Sequence, residues 1–235
     1  MKKIVCSWSG GIDSTAVIAN LLKQNYEVFA YRLTTKYGDK FEKRELEAVK
    51  KLLPIFKKMG KIHFFEESGD FLWKFSPDGY EVPRRNRLII DYLIESKCRP
   101  MNIFNIAMGE YIGADTWVVQ DHVSMNDADA RALISYIFLE YGLKFRFFCL
   151  ADFGESRFKT DRIKIGKNII EDDMFLTTNC LSDEDKHCGD CYKCLERHVA
   201  FMKNFGYDKT EYIKSPKDNE KLKEYEKQME NEECK

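Results

Sequence analysis

Ser9-Gly10-Gly11-Ile12-Asp13-Ser14-Thr15 follows the apolar run Ile4-Val5-Cys6 and precedes a stretch in which Val17 and Leu21, and Ile18 and Leu22, recur at i, i+4 spacing. This pattern reads as a strand, a glycine turn and a helix. Two adjacent glycines let the backbone turn and expose its N–H groups. The helix N-terminus adds the positive end of its dipole, and the hydroxyls of Ser9, Ser14 and Thr15 can donate to phosphate oxygens. Asp13 would repel a bare phosphate and suits either a magnesium ion or the helix N-terminus itself. The spacing is neither G-x-x-x-x-G-K-S/T nor G-x-G-x-x-G, so Ser9 to Thr15 is an anion cradle of another kind.

Outward from the loop, Tyr26 to Leu33 reads as a second buried strand. Phe41 to about Met59 reads as a helix with Leu46, Val49, Leu53 and Phe56 on its apolar side, and Pro54 is expected to bend or break it. Lys61 to Phe65 supplies a third strand, Thr116 to Val119 a fourth, after helices around Leu88 to Ser96 and Ile103 to Ile112, and Lys144 to Leu150 a fifth. From Asp152 the pattern loosens, apart from a short helix near Arg197 to Asn204, and a nearly all-charged tail from Lys214 is expected to be a solvated helix or a frayed end. The alternation predicts an α/β fold: a doubly wound, mostly parallel sheet with helices on both faces. Such sheets bind ligands at the carboxyl ends of their strands, where Ser9 to Thr15 lies. The expected organisation is an α/β domain over 1–151, a helical segment with a metal site over 152–213, and a charged tail over 214–235.

The 235 residues carry 38 basic and 39 acidic side chains and are 44% hydrophobic, which excludes a disordered or fibrous chain and suits one α/β domain with a small appendage. A net charge of -1 lacks the uniform positive field of a protein that grips long nucleic acid, so nucleic acid is not an expected partner. Met1-Lys2-Lys3-Ile4 leads straight into a strand pattern, and the apolar runs are too short to span a bilayer; the expected location is the cytoplasm.

In a reducing compartment, clustered cysteines indicate a metal before they indicate disulfides. Cys180-x7-Cys188-x2-Cys191-x2-Cys194 supplies four soft ligands suited to tetrahedral zinc, and a closed tetrathiolate leaves no open position for water, so the ion is expected to be structural. An iron–sulfur cluster could use the same residues. Cys6 and Cys149 read as core residues and Cys234 as a tail thiol, His187 as a bystander to the cluster, and His63 and His198 have no assigned role.

The Ser-Gly-Gly-x-Asp-Ser run after the first strand resembles the PP-loop of the ATP pyrophosphatase superfamily, whose members bind the pyrophosphate end of ATP there, adenylate a substrate oxygen and release pyrophosphate. With the C-terminal four-cysteine site added, the chain resembles the 7-cyano-7-deazaguanine synthases (QueC) nearly end to end. Tyr37-Gly38 with Glu45-Leu46, Val82-Pro83-Arg84-Arg85-Asn86, Gly113-Ala114-Asp115, Asp129-Ala130-Arg131, Lys159, and Cys188 to Cys194 with Arg197 and Phe201 fall in that family's order. The chain departs from it in Thr177-Thr178-Asn179-Cys180, where the family has Thr-Trp-Ser-Cys, in Gln120-Asp121-His122, and in a long segment from Asn86 to Gly113 that contains Arg99 to Asn102 as a rival Arg-Asn anchor.

The resemblance implies a ligase that adenylates 7-carboxy-7-deazaguanine and uses ammonia to form the 7-cyano product through the amide, in queuosine biosynthesis. ATP would occupy Ser9, Gly10, Gly11, Ile12, Asp13, Ser14 and Thr15, with Mg2+; Asp13, Ser14, Arg131 and Lys159 would be catalytic. Arg85, Asn86, Asp129 and Arg131 would bind substrate, and Cys180, Cys188, Cys191 and Cys194 would hold Zn2+. A homodimer is also implied. Formation of the amide alone, another acceptor such as polynucleotide-bound deazaguanine or a protein amine, RNA thiolation, and a nucleotide-binding module without turnover remain as alternatives.

Overall fold

The computed structural model describes residues 1–34, 40–68, 85–109, 136–137, 139–142, 144–154, 159–180, 182–223 and 226, with side chains 40–41 and 85–88 excluded. Among the described residues five strands, β1 (Lys2–Ser7), β2 (Tyr26–Thr34), β3 (Ile62–Ser68), β4 (Asn105–Ala107) and β5 (Arg146–Phe148), form one parallel sheet in the order β3-β2-β1-β4-β5. The chain winds from β1 toward β3 on one side and from β4 toward β5 on the other, so the order reverses beside β1. That reversal opens a crevice at the carboxyl end of β1, and the loop from Ser9 sits in it. The expected α/β class and parallel sheet are therefore observed.

Strand β1 shows why both faces are covered. Ile4 and Cys6 join one apolar cluster with Ile12, Ala16 and Leu21 of α1 (Ile12–Lys23) and Val49, Leu52 and Phe56 of α2 (Lys40–Met59). Val5 points to the opposite cluster, with Ile89, Ile90 and Leu93 of α3 (Arg85–Leu93) and Ile106 of β4. Alternate residues of a strand face opposite ways, so a strand buried on both faces reads as a continuous apolar run.

Three expectations change. Helix α2 runs unbroken through Pro54, which lies on its exposed side, where water can satisfy the carbonyl one turn back. The helix expected over Ile103 to Ile112 is absent at its start, because Asn105–Ala107 is strand β4, paired with β1 through Val5↔Ile106 and Cys6↔Ala107. A short, fully buried apolar run carries no periodicity that separates helix from strand; the vacant edge of β1 decides it. After Asp152, where the periodic pattern loosens, the segment expected to be helical carries a helix that the pattern did not locate. Lys159–Ile170 is a helix, α4, whose Ile163, Ile165 and Ile170 lie in the same cluster as α1, its apolar face having been obscured in sequence by the buried cations Lys159 and Arg162. The strand expected at Thr116 to Val119 lies outside the described residues.

The helix α5 (Tyr192–Phe205), capped by Cys191, begins five residues earlier than expected and ends against Gly206 in the left-handed region with φ 79. Beyond it Pro216 and Leu222 of the charged tail are buried. Among the described residues no helix is long and apolar enough to cross a membrane.

Ile163 is fully buried, and Ile163→Ala should cost about 2–5 kcal/mol in urea unfolding. A loss well under about 1 kcal/mol, the scale of a surface change, would show that α4 is not part of the core.

Candidate functional site

The loop is held open by close backbone packing. Gly10 has φ +76, and a Cβ there would lie 2.7 Å from the carbonyl oxygen of Glu45 on α2. On the β4 side, a Cβ on Gly109 would lie 2.5 Å from the Ser14 nitrogen. Neither position can carry a side chain without moving α1 or α2. Gly11 caps α1 through its backbone with no side-chain cap, leaving the first-turn N–H groups directed into the crevice. Gly11 N donates to Ser9 Oγ at 3.3 Å, Ser9 Oγ lies 3.3 Å from Ser14 Oγ, and Ser14 Oγ donates to Gly11 O at 3.4 Å. Thr15 faces inward: it is fully buried and accepts a hydrogen bond from Trp8 Nε1 at 3.2 Å.

Asp13 and Lys159, 146 residues apart, meet at this loop. Lys159 Nζ donates to both carboxylate oxygens, at 3.0 and 3.2 Å, and Arg162, one turn along α4, places NH1 at 3.9 Å. Lys159 is 3% exposed and Asp13 25%. Burial by itself would raise the Asp13 carboxyl, but the charges of Lys159 and Arg162 outweigh it and hold the group below the usual carboxylate range. Burial also pulls the Lys159 ammonium below the usual lysine range, with Arg162 adding repulsion and Asp13 opposing both. Arg162 was not among the residues expected here; its only signal in sequence is the i, i+3 spacing from Lys159.

The cysteine segment is built onto the same loop. Thr178 N donates to Gly10 O at 3.1 Å, and Thr178 forms a parallel bridge with Gly11. Two residues on, the Sγ atoms of Cys180, Cys188, Cys191 and Cys194 all lie within 4.8 Å of one another, with Cys180–Cys191 at 4.0 Å and Cys188–Cys194 at 3.9 Å. A tetrahedral ion with metal–sulfur bonds of ~2.3 Å sets its sulfurs about 3.8 Å apart, so the four fit one ion such as zinc. A four-iron cluster binds each thiolate to a different iron and needs a wider cage. Backbone N–H groups of Ser182 and Cys188 donate to Cys180 Sγ, and those of Asp190 and Cys191 to Cys188 Sγ, as a thiolate site requires. Hydrogen bonds from Cys191 and Cys194 drive the Cys180 thiol down, while those to Cys180 and Cys191 drive Cys194 up; four thiolates cannot coexist there without a cation.

The cage is braced from three sides. Gly189, at φ +79, makes its turn, where a Cβ would strike the Lys214 carbonyl oxygen. Arg44 of α2 donates to the carbonyls of Cys180, Ser182, Glu184 and Lys186. Arg197, fully buried on α5, donates to Thr210 Oγ1, Thr177 Oγ1 and Phe175 O at 2.7, 3.1 and 3.0 Å. His198 pairs with Asp208 at 2.9 Å, a structural contact.

Arg85 and Asn86 open α3, whose Tyr92 donates to Glu67 near the carboxyl end of β3. The rival Arg99 to Asn102 leads into β4 at the opposite, amino-terminal edge, with Arg99 paired to Glu95 at 3.3 Å; it is removed from the loop. The side chains of Arg85 and Asn86, and Asp129 and Arg131 altogether, lie outside the described residues. So does Cys234.

A family model described as Queuosine biosynthesis protein QueC matches residues 3–69. A 7-cyano-7-deazaguanine synthase from Caldicellulosiruptor saccharolyticus is 30% identical over 220 residues, covering 87% of this chain and 92% of its own. The chain belongs to the QueC family. A second relative, the 7-cyano-7-deazaguanine synthase of Methanococcus aeolicus, is 28% identical over 90% of this chain and 99% of its own. The chain spans about half, 48%, of 7-cyano-7-deazaguanine synthase 2 from Sulfurisphaera tokodaii, at 27% identity. Among solved structures, U34-tRNA thiolase NcsA from Methanococcus maripaludis with its 4Fe-4S cluster aligns over 61% of this chain and 45% of its own, at 13% identity and a TM-score of 0.34. In this QueC-family chain, loop and cage form one continuous unit through Thr178.

Asp13→Asn removes the carboxylate that Lys159 and Arg162 share and should destabilise the protein at neutral pH by about 3–5 kcal/mol in urea unfolding. Asp13 is lowered in the fold, so its contribution is full above the unfolded carboxylate value of ~3.9 and fades as pH falls through the folded one. The gap between the two proteins should therefore close in acid, and a gap independent of pH would deny its ionic origin. Chelation should open Cys188 and Cys191, the half-buried pair, to iodoacetamide at about pH 8, while Cys98 and Cys149 stay unmodified by mass spectrometry, burial having pushed their thiols up to about 12 and about 11.

Proposed function

We propose that this chain is an ATP-dependent carbon–nitrogen ligase that converts 7-carboxy-7-deazaguanine and ammonia to the 7-cyano product, releasing AMP and pyrophosphate. The observation that carries this reading is the hydrogen-bonded join of the glycine loop to the four-cysteine cage through Thr178, in a chain of the QueC family.

A carboxylate is a poor electrophile with a poor leaving group. Its oxygen attacks the α-phosphorus of ATP, and pyrophosphate departs. Ammonia then attacks the acyl carbon, AMP leaves with the carboxyl oxygen, and a proton is lost to give the amide. A second adenylation, on the amide oxygen, lets a second AMP carry that oxygen away as the nitrile forms and two protons are lost.

In both rounds the charge that grows on departing pyrophosphate meets the N–H groups of the loop over Ser9 to Thr15, a preorganised acceptor of negative charge. Asp13 holds Lys159 beside that loop and is the carboxylate that the magnesium of ATP would meet. Ser14 Oγ, already directed at the loop, is a further donor, and Arg131, Arg85, Asn86 and Asp129 are proposed to read the deazaguanine.

Cys180, Cys188, Cys191 and Cys194 would hold zinc, which supplies a closed cross-link with no position for water or substrate. The narrow sulfur cage favours this over the iron–sulfur chemistry of a thiolating enzyme. We propose further that 1–151 is the nucleotide-binding unit, with the cage over 152–213, and that two copies pair.

The test is incubation with Mg2+, ATP, an ammonium salt and 7-carboxy-7-deazaguanine, with masses and AMP as readouts and Asp13→Ala, checked for retained zinc, as control. Nitrile with two AMP per product, lost at least about 100-fold in the control, is the expected result. Amide alone would end the nitrile reading and place the altered step at Thr178-Asn179; AMP release that ignores the deazaguanine would end the substrate assignment.

A further inference from the structure

Trp8 lies between β1 and the glycine loop, and Thr15 is the loop's last residue. Both are fully buried, and Trp8 Nε1 donates to Thr15 Oγ1 at 3.2 Å. A buried indole ordinarily finds some hydrogen-bond partner, so the bond taken alone is a detail of packing. Its place gives it a larger part, because it joins residues seven apart across the base of the loop Ser9 to Ser14.

Trp8 is anchored in three elements. Its main-chain N–H donates to Tyr31 O at 2.9 Å, one residue past the last β1–β2 pair. Its ring packs on Phe56 of α2, 5.3 Å between centres, and edge-on against Phe64 of β3 at 5.8 Å. Thr15 belongs to the first turn of α1, where its N–H donates to Gly11 O at 3.0 Å. The indole bond therefore ties that turn to β2, α2 and β3 at once. The contacts inside the loop are weaker: those among Ser9, Gly11 and Ser14 are 3.3, 3.3 and 3.4 Å, at the long end of the hydrogen-bond range. Thr178 holds Gly10 at the entry of the loop, and the indole bond holds its exit.

We propose that Trp8 and Thr15 form a clasp that preorganises the glycine loop for polyphosphate, with both as positioning residues and the Thr15 hydroxyl bonded inward to the indole instead of to phosphate. An anion site whose N–H groups are fixed in advance needs little ordering when the ligand arrives, so opening the clasp weakens binding without removing a contact to the ligand. This inference rests on the reading of the loop as an ATP site, and it is independent of which acyl group is activated.

The experiment is calorimetric titration of zinc-containing protein with Mg2+ and α,β-methylene-ATP, alongside exchange of the indole N–H in deuterium oxide followed by NMR. Thr15→Val keeps the branched shape and removes the acceptor; it should weaken the analogue roughly 3- to 10-fold, the scale of one neutral hydrogen bond, and speed exchange of the Trp8 indole. Thr15→Ser keeps the hydroxyl and should restore affinity to within about twofold and slow the exchange again. Trp8→Phe removes the donor and identifies its signal among the three tryptophans; in that background Thr15→Val should cause no further loss. Ile103→Val, a buried change just before β4 at the amino-terminal edge of the sheet, should leave the affinity unaltered and so separates the clasp from general loosening. Affinity lost in Thr15→Val but kept in Trp8→Phe overturns the proposal by making Thr15 itself a phosphate donor. Losses that add in the double variant, or an equal loss in Ile103→Val, overturn it as well. If the unaltered protein binds no analogue, the reading of the loop as an ATP site fails, an outcome distinct from these, and the clasp loses its role in binding with it.

Discussion

The loop after β1 works only if its backbone lies bare between neighbours on both sides, and the rest of the structure is arranged around that requirement. On one side the Glu45 carbonyl leaves no room for a Cβ on Gly10; on the other the first turn of α1 leaves none on Gly109. Close approach of this kind fixes the direction of the exposed N–H groups without using side chains that would fill the crevice. The sheet order supplies the crevice, because β1 is the strand from which the chain winds both ways.

Buried charge is the second organising feature. Arg32 lies under the start of α2, donating to Glu66 at 2.8 Å and to the Glu42 carbonyl, with Glu45 at 3.6 Å. Arg44 grips carbonyls of the cage segment, Arg197 ties α5 to Phe175, Thr177 and Thr210, and Arg162 stands 3.9 Å from Asp13 at the loop. A guanidinium presents five donors in a fixed fork, so one residue can tie several carbonyls from different segments. The cage is thereby continuous with the loop: α2 touches Gly10 through Glu45 and grips the cysteine segment through Arg44, while Thr178 joins the two directly. An ion held by the cage would secure the same segment that joins Gly10 and Gly11 through Thr178.

The described cysteines outside the cage have no part in this. Cys6, Cys98 and Cys149 are buried with raised thiols, which makes them inert core residues.

The local patterns were enough to establish the strand–glycine–helix unit at Ser9 to Thr15, the α/β alternation and the four-thiol ligand set, because each rests on chemistry within a few residues: φ freedom at glycine, apolar periodicity, and thiolate affinity for a soft ion. They misjudged Asn105–Ala107, where the choice between helix and strand depends on the open edge of β1, and within the segment expected to be helical they did not locate the helix from Lys159, whose buried cations disguise a core-facing surface. Only the tertiary structure brought Asp13 to Lys159 and Arg162, placed Arg99 to Asn102 at the far edge of the sheet, and set Gly109 against Ser14. Those are relations between segments far apart in the chain. No local propensity encodes them; they follow from which surfaces are left to bury once the sheet has formed.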